Sequence, residues 1–296
     1  MLVSILGSNG LLSNSIAKFC NNKNIEINIY GRSEPLGVTY SKFKQIDFMK
    51  NEIDYTDLLK SDLIIYAAGA GIQSNLNEQS DLIHFLNVDL PIIILKKLNE
   101  LKFLSHFITF GSYFEIGINK KNILFTEDMI LSSTNEVLND YSVTKRLLSS
   151  FLSSFKSSFI NYHYILPTIY GENESNHRLI PYTINSLKNN EKLNFTSGNQ
   201  VRQYIYVDEI SSIIFKSINS KLKSGIYNIA GNETLTVKEL VNIIYAKLGV
   251  ILSDDVFGKA KRLDSGMLNL QLDGSLLSQE IDFVSSVKIS DIIDKY

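Results

Sequence analysis

The segment DYSVTK, residues 140–145, places a tyrosine four positions before a lysine. Residues with this spacing share one face of a helix, so Lys145 can lie beside the phenol of Tyr141. A free phenol has a pKa of about 10, and a lysine cation within about 4–6 Å lowers that pKa by favouring the phenolate. Such a pair can exchange a proton near working pH. Spacing alone does not settle the matter, because YSKFK places Tyr40 four positions before Lys44.

A second chemical pattern is the segment LVSILGSNGLLSNS at the start of the chain. It predicts a strand, a glycine turn and the beginning of a helix. Gly7 and Gly10 allow a tight turn and the close approach of a pyrophosphate, which the N–H groups and dipole of the helix N-terminus would bind. Ser13 stands where the third glycine of the fingerprint usually lies. The position of the turn between a first strand and a first helix nevertheless predicts a dinucleotide site.

The end of the second predicted strand indicates which dinucleotide is bound. Sites that prefer NAD place Asp or Glu there, to accept a hydrogen bond from the ribose 2′-hydroxyl. This chain has IYGRS instead, with Arg32 and Ser33 after the strand. Arg32 can pair with a 2′-phosphate and Ser33 can donate to it. The alternative is that Arg32 is only an exposed residue after a strand. The sequence favours NADP(H).

The elements that position these residues alternate between strands and helices through the first two thirds of the chain. The strand candidates are residues 2–6, 25–30, 62–68, 106–110, 162–166 and 225–230. Their continuous apolar character is typical of strands buried on both faces. The alternation predicts an α/β fold with a Rossmann-type, doubly wound parallel sheet.

The pattern changes after Tyr170 to loops and isolated helices, one of which begins with a Thr236-x-x-Glu239 capping box. We therefore expect a smaller α/β substrate-binding domain. The predicted division gives an NADP-binding domain of residues 1–168, to which residues 204–231 return, and a second domain of residues 169–203 and 232–296.

The composition of the chain limits the classes of partner that we expect it to bind. The 296 residues carry a net charge of −2, which gives no basic field to attract nucleic acid or anionic lipid. No apolar stretch approaches the roughly 20 residues of a membrane span, and no basic segment precedes the first strand, so we expect neither a span nor a signal peptide. The single cysteine, Cys20, fits a reducing compartment. We expect a cytoplasmic protein, and the four histidines lack metal-ligand spacing.

Taken in order, these motifs resemble the extended short-chain dehydrogenase/reductases, the NAD-dependent epimerase/dehydratase family that acts on nucleotide sugars. GSNGLLS resembles the glycine turn of that family, QIDF its adenine contact, YAAG its fourth strand, LNVD the asparagine of its fourth helix and YSVTK its Tyr-x-x-x-Lys. The resemblance implies that the cofactor contacts are Gly7, Ser8, Asn9, Gly10, Leu11, Arg32, Ser33, Asp47, Phe48, Ala67, Ala68, Gly69, Asn87, Tyr141, Lys145 and Thr168.

The resemblance also implies the chemistry. TFGSYFEIG is similar to the segment that carries the catalytic serine, here Ser112, at the end of the fifth strand. Ligands of a doubly wound sheet lie at that edge, so Ser112 and Tyr141 can meet at one carbonyl, whereas Tyr40 has no such serine. Tyr141 would donate a proton to the alkoxide that forms on hydride transfer, Ser112 would hydrogen-bond the same oxygen, and Lys145 would assist the phenol and hold the nicotinamide ribose.

Substrate contacts follow from the same comparison. Tyr113 and Glu115 are candidates for sugar recognition, although either residue can instead pack or face solvent. Arg202 and Arg262 are candidates for the diphosphate, and Arg178 is a third candidate that can equally lie in a solvated loop. The full set of expected substrate-binding residues is Ser112, Tyr113, Glu115, Thr168, Arg178, Arg202 and Arg262.

The chain departs from the family pattern at Ser13, at Gln203 in place of an Asp, at Ile165 in place of an Arg, and at Thr168 where epimerases have Asn. With Arg32, the resemblance implies an NADPH-dependent reductase that acts on the 4-keto group of a nucleotide-activated 4-keto-6-deoxy sugar in surface-polysaccharide precursor synthesis. The alternatives are an epimerase with bound NAD and a non-catalytic NADP sensor of the same fold. The apolar helices PIIILKKLNEL and YSVTKRLLSSFLSSF, the fourth and fifth helices, predict a homodimer.

Overall fold

A computed structural model describes residues 1–50, 52–72, 76–260 and 266–296. Its main feature is a sheet of seven parallel strands in the order β3-β2-β1-β4-β5-β6-β9. The strands are β1 (Leu2–Leu6), β2 (Glu26–Gly31), β3 (Lys42–Gln45), β4 (Leu63–Tyr66), β5 (His106–Ser112), β6 (Ile160–Leu166) and β9 (Gly225–Asn228). The prediction of a doubly wound parallel sheet is confirmed, and β3 is the one strand of this sheet that was not anticipated.

Helices cover both faces of the sheet. They are α1 (Leu11–Asn22), α2 (Tyr55–Leu58), α3 (Ser80–His84), α4 (Leu90–Glu100), α5 (Glu127–Leu131), α6 (Asp140–Ser154), α7 (Leu179–Lys188), α8 (Val207–Asn219), α9 (Val237–Lys247), α10 (Ser275–Ile281) and α11 (Ile289–Ile292). A π-helical turn, Phe85–Asp89, joins α3 to α4. On one face α1 packs against α8, where the rings of Phe19 and Phe215 stack with centroids 4.8 Å apart.

Alternate residues of each central strand enter two different cores. Leu63 and Ile65 of β4 lie in the core beneath α1 and α8, whereas Ile64 and Tyr66 lie in the core beneath α4 and α6. All four side chains are at most 4% exposed. A strand buried on both faces needs apolar residues at every position, which is why these strands could be predicted from the sequence.

A second, smaller sheet is formed by four strands that follow β6 in the chain. Its strands are β7 (Thr168–Tyr170), β8 (Val201–Tyr206), β10 (Glu233–Thr236) and β11 (Asn269–Leu270). Strand β8 pairs antiparallel with β10 and parallel with β7 and β11. Residue 204, where the predicted division returns to the first domain, lies inside β8. The chain then forms α8, from Val207, and β9 of the large sheet. None of the helices in the described part of the chain has the length and apolar character needed to cross a bilayer.

Candidate active site

Three predicted catalytic residues lie at the carboxyl edge of the large sheet. Strand β5 ends at Ser112. Helix α6 begins at Asp140, because the side chain of Asn139 caps it by accepting from Ser142 N at 2.8 Å. Tyr141 therefore lies in the first turn of α6. Burial raises the pKa of Tyr141 to about 12, and a hydrogen bond with the Ser112 side chain opposes that rise. The structure brings Ser112 and Tyr141 together as the sequence predicts.

Lys145 lies one turn further along α6. Its Nζ donates to the backbone oxygen of Phe110 on β5 at 2.8 Å and lies 5.7 Å from the centre of the Tyr141 ring. Burial lowers the pKa of Lys145 to about 8. We expected Lys145 to bring the pKa of Tyr141 toward neutrality, but desolvation of the phenol is the larger effect in this structure. Tyr141 is therefore a protonated phenol at neutral pH.

The second Tyr-x-x-x-Lys pair does not form a comparable site. Lys44 belongs to strand β3, so it does not share a helical face with Tyr40. The hydroxyl of Tyr40 donates to the carboxylate of Glu34, and Lys44 Nζ lies 3.6 Å from a carboxylate oxygen of Asp54. Tyr40 and Lys44 therefore do not form a helical Tyr-x-x-x-Lys pair, and Tyr141 with Lys145 stays the predicted catalytic pair.

The glycine turn between β1 and α1 forms a cradle suited to a phosphate. Gly7 has φ +116°, and a Cβ atom there would lie 2.7 Å from Ala68 N and 2.9 Å from the carbonyl carbon of Ala67. Gly10 is the N-cap of α1, where no side chain caps the helix and no acidic residue lies in the first turn. The unpaired N–H groups at this end favour an anion. The residues present therefore fit a dinucleotide pyrophosphate.

Ser13, which replaces the third glycine, contributes to the same turn. It is 2% exposed, and its hydroxyl has no hydrogen-bond partner among the described residues. A Cβ atom on Gly10 would lie 3.6 Å from that hydroxyl, which is an ordinary contact. The substitution therefore leaves the turn intact and adds a polar group beneath it.

The loop after β2 is held against this cradle. The amide of Asn9 donates to Ser33 Oγ at 2.9 Å and to Ser33 O at 3.2 Å. The Ser8 side chain occupies the place of a side chain at Gly31, since a Cβ atom there would lie 2.6 Å from Ser8 Cβ. Arg32 is exposed, and Gln45 fixes its backbone oxygen through a hydrogen bond of 3.0 Å. Strand β2 thus ends at a glycine, and the arginine that follows it is exposed.

The remaining cofactor candidates line two neighbouring loops. Asp47 is exposed and accepts from Met49 N at 3.1 Å, and Phe48 is buried beside it. After β4, Ala67 and Ala68 are half-buried and Gly69 is exposed. Leu11, half-buried, is the first residue of α1. These positions are compatible with the expected contacts to a dinucleotide.

Asn87 links the loop after β4 to the catalytic helix. It lies in the π-helical turn, is 1% exposed, accepts from Ala70 N at 3.0 Å and donates to Ala70 O at 2.9 Å. Its amide also donates to Thr144 Oγ1 on α6 at 3.0 Å. Every polar atom of this side chain is used within the protein. Asn87 therefore positions the loop and α6, a role that the sequence pattern did not reveal.

On the substrate side, the candidates adopt different environments. Tyr113, the residue after Ser112, is 1% exposed, and its hydroxyl is hydrogen-bonded to Thr168 Oγ1. Glu115 is fully buried, and its carboxylate turns back to accept from Ser112 N at 2.6 Å. This position differs from the sugar contact expected for Glu115, because the carboxylate is closed off from solvent.

The three predicted arginines also differ. Arg178 pairs with Glu174 at 2.8 Å, and its electrostatic influence reaches Tyr141. Arg202 is 6% exposed on β8 and donates to Val201 O and Met267 O at 2.9 and 2.8 Å. Arg262 lies outside the described residues. Arg178 is thus not in a freely solvated loop, and Arg202 is anchored by backbone oxygens.

Two departures from the family pattern have structural explanations. Gln203 of β8 pairs with the backbone of Leu272, accepting from its N at 3.1 Å and donating to its O at 3.2 Å. Ile165 is fully buried in β6. No group of three or more His, Cys, Asp or Glu side chains suited to a metal ion occurs in the described ranges.

Comparison with known proteins agrees with this architecture. The model of the NAD dependent epimerase/dehydratase family matches residues 3–230. A CDP-abequose synthase of Yersinia pseudotuberculosis is 25% identical over 261 residues, covering 82% of this chain and 83% of the relative. One from Salmonella muenchen is 33% identical over 88 residues, and the match spans 29% of either chain.

The fold is similar to that of dTDP-glucose 4,6-dehydratase from Bacillus anthracis, solved in complex with NAD. The TM-score is 0.82 at 16% identity, covering 100% of this chain and 94% of the other. Since the family model matches residues 3–230, well over half of the 296 residues, the chain belongs to the NAD dependent epimerase/dehydratase family.

Proposed function

We propose that this protein is an NADPH-dependent reductase of the 4-keto group of a nucleotide-activated 4-keto-6-deoxy sugar. The observation that carries the proposal is the meeting of Ser112, Tyr141 and Lys145 at one sheet edge, with the phenol kept protonated by burial. Reduction of a ketone requires a proton for the oxygen atom. A buried tyrosine that retains its proton at neutral pH is suited to donate it.

The dinucleotide, when bound, supplies the hydride. The turn from Gly7 to Leu11 would hold its pyrophosphate, and Lys145 would hold the nicotinamide ribose. Ser112 would donate a hydrogen bond to the carbonyl oxygen and so stabilise the charge that develops there. Tyr141 would then transfer its proton to the same oxygen, and the nearby ammonium of Lys145 would stabilise the phenolate left behind.

A preference for NADP(H) is supported by the loop after β2. Gly31 ends the strand without a carboxylate, and the adjacent Ser8 side chain fills the space that a larger residue would need. Arg32 is exposed and close to the turn through the Asn9–Ser33 hydrogen bond. An arginine in this place would pair with a 2′-phosphate.

We propose cytidine diphosphate as the nucleotide part of the substrate, because the two relatives that match are CDP-abequose synthases. Arg202 on β8 and Arg178 at the start of α7 would contact the diphosphate, with Arg262 as a third candidate. Deoxysugar precursors of a surface polysaccharide are the product class that this substrate implies. A cytoplasmic location is proposed to match the soluble nucleotide-linked substrate.

A dehydratase is the alternative suggested by the solved neighbour. The two residues after Ser112 are aromatic here: Tyr113 is buried against Thr168, and the ring of Phe114 lies 6.5 Å from that of Tyr141 at an angle of 76°. Neither position carries a carboxyl group to serve as the extra acid or base for elimination of water, and the Tyr113 hydroxyl is already hydrogen-bonded to Thr168. This argues for reduction.

We further propose a homodimer formed through α4 and α6. Ile93 is 37% and Leu147 is 47% exposed, and near the end of α6 the partly buried rings of Phe151 and Phe155 stack with centroids 5.1 Å apart. These side chains form an apolar surface shared by two adjacent helices. Pairing with the same surface of a second copy would bury it symmetrically.

The catalytic assignment is tested with Tyr141→Phe, Lys145→Met and the control Tyr40→Phe. Turnover is followed by NADPH absorbance with a CDP-linked 4-keto-6-deoxyhexose. Tyr141→Phe should lower turnover by about 10²–10⁴-fold while NADPH still binds, because only the hydroxyl is lost. Lys145→Met should lose activity and weaken cofactor binding, and Tyr40→Phe should match the wild type. Near-normal turnover in Tyr141→Phe would mean that the active site lies elsewhere.

A further inference from the structure

The carboxylate of Glu115 is buried in an unusual way. The residue is fully buried in the 3₁₀ turn Tyr113–Ile116, whose N-cap is Ser112. One carboxylate oxygen, Oε1, accepts from Ser112 N at 2.6 Å, and the Ser149 side chain lies close enough to lower the pKa of the carboxyl group by hydrogen bonding. Burial of a carboxylate is destabilising unless hydrogen bonds and nearby charges compensate for it. The position of the nearby positive charge indicates what the Glu115 carboxylate does.

The compensating charge lies across one peptide unit of β5. A Cβ atom on Gly111 would lie 2.5 Å from Glu115 Oε1, so the carboxylate rests directly over that glycine. The preceding residue, Phe110, accepts from Lys145 Nζ at 2.8 Å. Adjacent residues of one strand thus contact the carboxylate and the ammonium. Arg146 holds the turn in place by donating its Nε to Glu115 O at 2.7 Å.

The other titratable groups around Lys145 do not supply a negative charge. His163 of β6 contacts Thr109 Oγ1 through Nδ1 at 2.7 Å and Ser149 Oγ through Nε2 at 2.9 Å. Burial lowers the pKa of His163 to about 3, so its ring is neutral. On α6 itself, Tyr141 keeps its proton and Arg146 is cationic. Within the described ranges, Glu115 is the acidic group that raises the pKa of Lys145.

We propose that Glu115 is a positioning residue that holds the Ser112 peptide with one oxygen and serves as the buried counter-ion of Lys145. The inference rests on the proposed reductase function for its catalytic consequence, but not for the electrostatic coupling of Glu115 to Lys145. Without the carboxylate, burial would lower the pKa of Lys145 further, and the ammonium would be lost within the working pH range. Burial also raises the pKa of Glu115 to about 7, so the two groups titrate in adjacent ranges.

The substitution Glu115→Gln separates the two roles. Glutamine at the third position of a capping box can still accept from Ser112 N, so the turn is retained while the charge is removed. The control is Glu239→Gln in the other capping box, where Glu239 Oε2 accepts from Thr236 N at 2.7 Å on an exposed part of α9. Both variants lose one carboxylate from the same local motif, and only one of them lies beside Lys145.

The readout is the titration of Lys145 in protein labelled with [ε-¹³C]lysine, with the resonance assigned by its loss in Lys145→Arg. In Glu115→Gln the midpoint should fall by about one pH unit or more, and in Glu239→Gln it should stay at the wild-type value. The wild type itself should show a second inflection of the Lys145 resonance near the pKa of Glu115, which keeps the test valid if Glu115→Gln fails to fold. An unchanged midpoint, or a wild-type curve without that inflection, would overturn the proposal.

The same experiment distinguishes this proposal from the reductase proposal. If the Lys145 midpoint moves but the wild type does not oxidise NADPH with a CDP-linked 4-keto-6-deoxyhexose, the coupling of Glu115 to Lys145 stands and the proposed function fails. If turnover occurs, the upper limb of its pH profile should shift to lower pH in Glu115→Gln. Turnover with an unshifted profile and an unshifted midpoint would refute the role of Glu115 and leave the reductase intact.

Discussion

Replacing Gly7 with alanine tests whether the turn after β1 is the cofactor cradle. The residue has φ +116°, which costs an L-amino acid about 1–3 kcal/mol. The new Cβ atom would also lie 2.7 Å from Ala68 N and 2.9 Å from the Ala67 carbonyl carbon, and neither backbone atom can rotate away. Overpacking of this kind costs about 1–3 kcal/mol. We therefore expect Gly7→Ala to lower the free energy of unfolding by about 2–6 kcal/mol.

The matched control is Gly249→Ala. Gly249 has φ +69°, but no atom lies within 4 Å of the position of its Cβ, so this variant carries the backbone strain without the contact. Urea unfolding should show a loss of about 1 kcal/mol for Gly249→Ala and a larger loss for Gly7→Ala. NADPH titration by fluorescence should show at least about tenfold weaker binding for Gly7→Ala, equivalent to about 1.4 kcal/mol, and wild-type binding for Gly249→Ala. Equal effects of the two substitutions on stability and binding would refute the cradle.

Three further predictions address charge and assembly. Arg32→Asp should narrow or reverse a preference for NADPH over NADH, measured as dissociation constants; equal constants in the wild type would remove the argument from Arg32. Light scattering should give twice the chain mass of 33.5 kDa, and a monomer mass at micromolar concentration would contradict the α4–α6 interface. Burial raises the pKa of Glu115 from 4.5 to about 7, so the folded state binds more protons and stability should fall as pH rises through that window. Glu115→Gln should flatten this slope in urea titrations, and an identical slope would contradict the raised pKa.

The sequence predicted those parts of the fold that depend on local pattern. Strand β1 was predicted at residues 2–6 and is observed at Leu2–Leu6, because a strand buried on both faces needs a continuous apolar run. Strand β3, with the sequence KFKQ, was missed because an edge strand with partly exposed residues lacks that run. The capping box from Thr236 to Glu239 was predicted and is present.

The sequence predicted that Ser112, Tyr141 and Lys145 lie close together, but it did not predict the pKa values that burial gives to Tyr141 and Lys145. The order of Ser112, Tyr141 and Lys145 along the chain indicated one sheet edge, and the structure places them there. The depth of burial, which raises the pKa of Tyr141, depends on packing between distant elements and is not encoded in a motif. Ser112 and Glu115 have the spacing of a capping box, and this signal could have shown that the carboxylate of Glu115 turns back toward the backbone.

The central claim is that hydride passes from NADPH to the ketone carbon of a CDP-linked 4-keto-6-deoxyhexose. The most direct measurement uses NADPH carrying deuterium at the transferable position and analyses the sugar product by mass spectrometry and NMR. We predict one deuterium at C4 of the product, with one NADPH oxidised per sugar reduced, and no such transfer in Tyr141→Phe at matched times. A sugar product without deuterium, or conversion of the sugar without net oxidation of NADPH, would contradict the claim.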